Sequence, residues 1–245
     1  MSRSSCLIIG GASDIGRAVA HVFAKEGYDI QLAARASDRI TEDAANINLR
    51  YGVDVSCFEL DVQQFEGLKD WVAQLPVLPD VAVCVVGRLG DQAEAAADPS
   101  IAADIVEANF TAPAGILGAL AALFEDRGSG VLVGVSSVAG CRGRATNYVY
   151  GSAKAGFTAY LSGLRNRLAA SGVHVLTVLP GFVDTAMTQD LDLPPPLTAN
   201  PHQVGKAIYR ATRKRLNVIY VLGRWRWIMA VIKSIPEGVF KRLSL

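Results

Sequence analysis

The chain has 245 residues, 51% of them hydrophobic, and a formal charge of +1, which suits one α/β domain with a substantial core and leaves no linker for a second domain. Its four cysteines, Cys6, Cys57, Cys84 and Cys141, lie far apart with no Cys-x-x-Cys or Cys/His cluster, so a metal site and a disulfide framework are excluded and reduced thiols in a cytosolic protein are expected. The apolar stretch Cys6 to Ile9 is too short for a secretory signal, and no run is expected to span a membrane.

The first element in chain order is a short buried strand, Cys6 to Ile9, that runs into Gly10-Gly-Ala-Ser13-Asp14-Ile15-Gly16 and a helix start. A glycine turn between strand and helix suits a dinucleotide pyrophosphate, and Asp14, just ahead of Ile15, is the expected N-cap. A second strand, Tyr28 to Ala33, is followed by Ala34 and Arg35. An acid there would hold the 2′-hydroxyl of NAD, whereas an arginine suits a 2′-phosphate and favours NADP(H) over NAD(H). Arg35 is otherwise a solvated loop residue that Asp38 neutralises. Strands are further expected within Tyr51 to Leu60, ahead of Asp61 and Val62, and from Pro79 to Val86, ahead of Gly87.

The apolar run Val131 to Val135 ends in Ser136 and Ser137, as a buried parallel strand does when it delivers a loop to the active end of a sheet. Thirteen residues later, Tyr150 and Lys154 stand four apart on a predicted helix and share one face. A cation within about 4–6 Å of a phenol favours its ionised form, so Lys154 is expected to lower the pKa of Tyr150 and make it a usable acid. A sixth strand from Val173 includes His174, which carries no chemical role, and ends at Pro180. The proline-stiffened segment from Ala186 to Pro201 has the length of a loop that covers a site. A helix from Pro201 and a strand from Asn217 to Leu222 complete seven parallel strands.

Glycine turn, serine strand and Tyr-x-x-x-Lys helix in this order resemble the short-chain dehydrogenase/reductase superfamily, in its single-domain branch, from about Ser4 to Leu222. The resemblance implies a Rossmann-type doubly wound sheet and catalytic roles for Asn109, Ser137, Tyr150 and Lys154. It implies cofactor contacts from Gly10, Ser13, Asp14, Ile15, Gly16, Asp61, Val62, Gly87, Tyr150 and Lys154, and from the nicotinamide-holding segment Pro180, Gly181, Val183 and Thr185. It further implies a homodimer or homotetramer joined through the tyrosine helix, whose small residues Ala155, Gly156, Ala159 and Gly163 serve otherwise to pack against the sheet. Two family positions differ: Asp14 stands where a third glycine is usual, and Cys84-Val85-Val86 replaces Asn-Asn-Ala before Gly87. A cofactor-sensing protein without turnover is the alternative to an enzyme. An extended sugar epimerase would need a larger substrate domain.

From Pro201 onward ten basic residues face one acid, a local charge of +9 against −8 for the first 200 residues. In the tail, 224–245, Trp225, Ile228, Met229 and Ile232 follow the spacing of an apolar helical stripe. A basic amphipathic helix of this kind lies on an anionic membrane surface, or packs over the substrate loop or a sister subunit. Nucleic acid is disfavoured, since no recognition motif or aromatic array accompanies the charge. The tail, with Gly87 to Asp91, Ala139 to Arg144 and Asn147 to Lys154, is similar to the ketoreductase component of decaprenylphosphoryl-ribose 2-epimerase. That likeness implies a keto-sugar on a polyprenyl phosphate, reduced at the cytoplasmic membrane face. Arg142 and Arg144 then either meet the substrate phosphate or serve as solvated or capping residues.

Overall fold

A computed structural model describes residues 3–35 and 37–243. In chain order it contains β1 (Ser5–Ile9), α1 (Asp14–Lys25), β2 (Asp29–Ala34), α2 (Asp38–Tyr51), β3 (Val55–Glu59), α3 (Leu68–Ala73), β4 (Val81–Cys84), α4 (Gln92–Ala97), α5 (Pro99–Val106), α6 (Ala112–Arg127) and β5 (Gly130–Val135). There follow α7 (Tyr148–Leu168), β6 (Val173–Leu179), β7 (Phe182–Val183), β8 (Thr198–Ala199), α8 (Pro201–Arg213), β9 (Val218–Tyr220), α9 (Arg224–Ser234) and α10 (Glu237–Phe240). The main sheet has seven strands in the order β3-β2-β1-β4-β5-β6-β9, every neighbour parallel. This is the expected doubly wound Rossmann-type sheet in one domain.

Strands buried on both faces explain the near-continuous apolar runs of β1, β4 and β6. Two core layers result. One packs Phe23, Ile40, Ile47 and Ile208 against one face of the sheet, and the other packs Ile116, Phe124, Phe157 and Leu161 against the opposite face. All four cysteines are free. His174, buried in β6, spends its Nε2 on the Leu216 carbonyl at 3.0 Å, in keeping with a strand residue of no chemical role. The chain reverses its direction of sheet growth between β1 and β4, and the crevice at their carboxyl ends is where such sheets bind ligands.

Two features depart from expectation. The run Pro99–Arg127 is continuous helix and is long and apolar enough to cross a membrane, against the expectation that no run is. Half of it is buried inside the fold, so its apolarity belongs to a core helix. The segment after β6 is not one open loop: β7 pairs with β8, and this small ribbon closes residues 184–197 into a compact flap.

Candidate active site

The cofactor end is built by the turn after β1. Gly10 has φ +91°, a conformation open to glycine, and a Cβ at Gly16 would collide with the Gly10 carbonyl. The turn therefore brings bare backbone and the start of α1 together, the arrangement that holds a phosphate. The N-cap is Ser13 and not Asp14. Ser13 has the extended backbone of a cap, its hydroxyl donates to Gly10 O (2.8 Å) and it accepts from Gly16 N (3.0 Å). Asp14 is the first helical residue, and its carboxylate accepts from Ala186 N at 2.8 Å, tying the flap to the glycine turn. Ile15 turns its side chain to the core, which leaves only its backbone for a ligand.

A cavity of about 720 Å³ opens beside this turn, lined among others by Gly10, Ser13, Arg35, Asp61, Val62 and Gly87. Among the described residues Arg35 pairs with no acid within 4 Å, so Asp38 does not neutralise it. A second arginine, Arg39 in the first turn of α2, lines the same end and was missed in the sequence. As one more basic residue on an exposed helix face it carries no signal of its own. Asp61 accepts from Gln63 N at 3.1 Å, so it caps its strand end while lining the cavity. Cavity size, the glycine turn and two unpaired arginines at one end fit a phosphorylated dinucleotide.

At the other end Asn109 and Lys154 approach Gly87. A Cβ there would lie 2.8 Å from Asn109 Oδ1 and 3.1 Å from Lys154 Nζ, so only glycine lets these two groups meet. Asn109 is fully buried in a π-helical turn, Glu107–Thr111, between α5 and α6. Its amide donates to Arg88 O (2.6 Å) and Ile105 O (2.8 Å) and accepts from Arg88 N (3.2 Å). This fastens the loop after β4, replacing the polar residues the family has before Gly87. Lys154, 3% exposed, donates to Val86 O (3.4 Å) and Val135 O (3.3 Å). Burial lowers its pKa to about 8.

Tyr150 lies on the same helix with Lys154 Nζ 5.8 Å from its ring centre. Burial raises the phenol above its ordinary value, and a hydrogen bond with Ser137 opposes the rise. The expected lowering by Lys154 is therefore absent in this state: desolvation raises the phenol, and Ser137 is what opposes it. Ser137 caps the short helix Val138–Cys141, accepting from Ala139 N at 3.1 Å. Its neighbour Ser136, also missed in the sequence, donates to Lys154 O (3.0 Å) and bonds Thr158 Oγ1 (2.7 Å), which fixes the catalytic helix on the end of β5. Tyr148, which lacks the lysine spacing, is 47% exposed.

The segment 180–185 is covered by the tail. Pro180 O accepts from Val138 N, Val183 is buried in β7, and Thr185 caps a short helix at the start of the flap. A Cβ at Gly181 would strike the indole of Trp225, whose Nε1 donates to Leu197 O at 3.0 Å. Trp225, Ile228, Met229 and Ile232 pack on Val138, Leu179, Phe182 and Leu197, so the apolar stripe faces the flap and not outward. Arg142 donates to Ile232 O (2.7 Å), Ile235 O (2.6 Å) and Glu237 (2.9 Å) and stacks on Phe240 at 3.7 Å. That set occupies it as the cap of α9, which removes it from phosphate binding. Arg144 donates to Met229 Sδ (3.6 Å), forms no ion pair among the described residues, and has a buried Nε without a partner. The last two tail residues, Ser244 and Leu245, lie outside the described residues. Among the described residues no group of His, Cys, Asp or Glu is arranged to hold a metal ion.

Residues 4–195 match the family model described as short chain dehydrogenase. An uncharacterized oxidoreductase of Mycobacterium tuberculosis is 36% identical over 242 residues, covering 97% of this chain and 96% of its own. Another from Streptomyces coelicolor is 33% identical, covering 98% and 95%. Among solved structures, a short chain dehydrogenase from Burkholderia cenocepacia in complex with NADP superposes with a TM-score of 0.84 at 18% identity, covering 100% of this chain and 98% of that one. Fold, converging side chains and relatives agree that this chain belongs to the short-chain dehydrogenase family and is an NAD(P)-dependent oxidoreductase.

Proposed function

We propose that the protein reduces a ketone with NADPH. The observation that carries this reading is the meeting of Asn109 and Lys154 at Gly87, on the wall of a dinucleotide-sized crevice, with Tyr150 beside Lys154 and hydrogen-bonded to Ser137. The cofactor, when bound, supplies the hydride. Tyr150, kept protonated by burial, gives its proton to the developing alkoxide. Ser137 holds the carbonyl oxygen, Lys154 supplies positive charge beside the Tyr150 ring, and Asn109 holds the loop after β4 and completes a water-linked proton path. NADP(H) is preferred because Arg35 and Arg39 stand unpaired at the adenosine end. A sensor without turnover would have no use for this full set.

The substrate in this reading is a keto-sugar on a polyprenyl phosphate. Support comes from the likeness of the tail and the loops before Tyr150 to the ketoreductase noted above, and from Arg144, a half-buried cation without an acid. Since the inner stripe of α9 is spent on the flap, membrane contact would use the outer face: Trp227, 71% exposed, Val231, 64% exposed, and the basic residues around them. A second copy would pack on the shallow apolar groove of Gly115, Gly118, Ala119, Leu123 and Tyr160. Turnover of NADPH with polyprenyl-phosphate keto-sugars, soluble ketoses and simple ketones tests the reading. A preference for soluble ketones removes the lipid-linked substrate and leaves the reductase, whereas no turnover with any ketone refutes the enzyme.

A further inference from the structure

The catalytic helix is held at its start by a side chain from another element. Gln92, the first residue of α4, accepts with Oε1 from Val149 N at 3.1 Å, one of the amides that α7 cannot satisfy itself. A backbone N–H only donates, so this bond fixes the Gln92 amide with oxygen toward α7 and leaves Nε2 as the free group. That Nε2 is buried without a partner. Asn147, just ahead of α7, has a buried Oδ1 that also lacks a partner. Both residues line one cavity of about 30 Å³, with Tyr150, Thr146, Leu89 and Ile105 as further walls.

A buried donor and a buried acceptor left without partners are each unfavourable. One hydroxyl satisfies both, accepting from Gln92 and donating to Asn147, and the cavity has room for one oxygen-sized group. Tyr150 forms one wall, so a group seated there lies against the residue that serves the carbonyl. We propose that Gln92 and Asn147 form a hydroxyl subsite that selects ketones bearing a hydroxyl on the carbon next to the carbonyl. The inference rests on the ketone-reductase reading and adds the substrate class to it. A ketone with a methyl in place of that hydroxyl leaves both amides unpaired.

The test compares kcat/KM for hydroxyacetone and butanone, which differ by hydroxyl against methyl, with NADPH in excess. Wild type is expected to favour hydroxyacetone by about 10- to 100-fold. Gln92→Glu keeps an acceptor for Val149 and replaces the free donor with a second acceptor, so the helix stays capped while the preference falls at least about tenfold. Asn147→Leu, which does not touch that cap, is expected to reduce the preference likewise. Equal kcat/KM for the two ketones in wild type, or an unchanged ratio in both variants, overturns the subsite and assigns the cavity to an internal water. Butanone turnover in that case keeps the reductase reading intact. If neither ketone is reduced, the subsite falls, and the reductase reading is decided by the ketone panel above.

Discussion

Lys154 is a lysine that the fold itself makes easy to discharge. Burial sets its pKa to about 8, against 10.5 for a free side chain, and two carbonyls are its hydrogen-bond partners. Ketone reduction needs it charged, so kcat/KM is expected to fall as pH rises through about 8, since that ratio reports the free enzyme. A profile flat to pH 10 contradicts this. Stability moves the other way: between the folded and unfolded pKa values the unfolded chain binds more protons, so resistance to denaturant rises with pH across that window. Arg35 and Arg39 give a second residue-level prediction. Arg35→Ala and Arg39→Ala should each weaken NADPH by about 10- to 100-fold, leaving NADH affinity nearly unchanged in titrations. The Tyr150 and Lys154 pair and the strand end before Ser137 could be read from spacing, because a shared helix face and a strand end impose it, whereas Gly87 and Asn109 came only through the family resemblance. Ser136 and Arg39 were not, since a serine beside a serine and an arginine on a polar face look like their neighbours. The cap of α1 was misplaced by one residue: Ser13 and Asp14 are both good caps, and only the backbone turn at Ser13 decides between them.

At the scale of elements, α9 is a strap that gathers three loops. It meets the serine loop through Arg142 and Met229, the nicotinamide segment through Trp225 on Gly181, and the flap through Leu197 and Pro196. Arg142→Ala removes the cap of its last turn and the stacking on Phe240. A lost charge-assisted hydrogen bond contributes about 1.5–3 kcal/mol, so amide exchange in residues 224–240 should quicken by at least about tenfold while the core strands stay protected. Unchanged exchange in the tail contradicts the strap. The apolar stripe of this helix was readable from its spacing, but its partner was not, because periodicity tells that a face is buried and not against what. The β7 and β8 ribbon escaped notice for a similar reason: two-residue strands are too short to show alternation.

The whole molecule separates its charge, with an acidic body and a basic carboxyl end. An exposed basic face with Trp227 on it predicts binding to anionic liposomes, at about 1 kcal/mol per basic residue near the surface, that weakens with salt. Trp227→Ala, which removes no packing from the flap, should reduce that binding, and liposome co-sedimentation measures it. Absence of binding by the full chain at low salt contradicts the membrane proposal. The sheet itself was legible almost strand for strand, since parallel strands buried on both faces write themselves as apolar runs. The long helix Pro99–Arg127 was less so, because its apolar length has two physical meanings and only packing distinguishes them.

The central claim is that Tyr150 is the proton donor of a ketone reductase. The most direct test measures NADPH consumption with a reactive ketone by wild type, Tyr150→Phe and Tyr148→Phe, alongside NADPH binding to each. The account predicts that Tyr150→Phe loses about 10²- to 10⁴-fold in turnover while binding NADPH as before, and that Tyr148→Phe, exposed and outside the site, stays near wild type. Turnover by Tyr150→Phe close to that of wild type would contradict it.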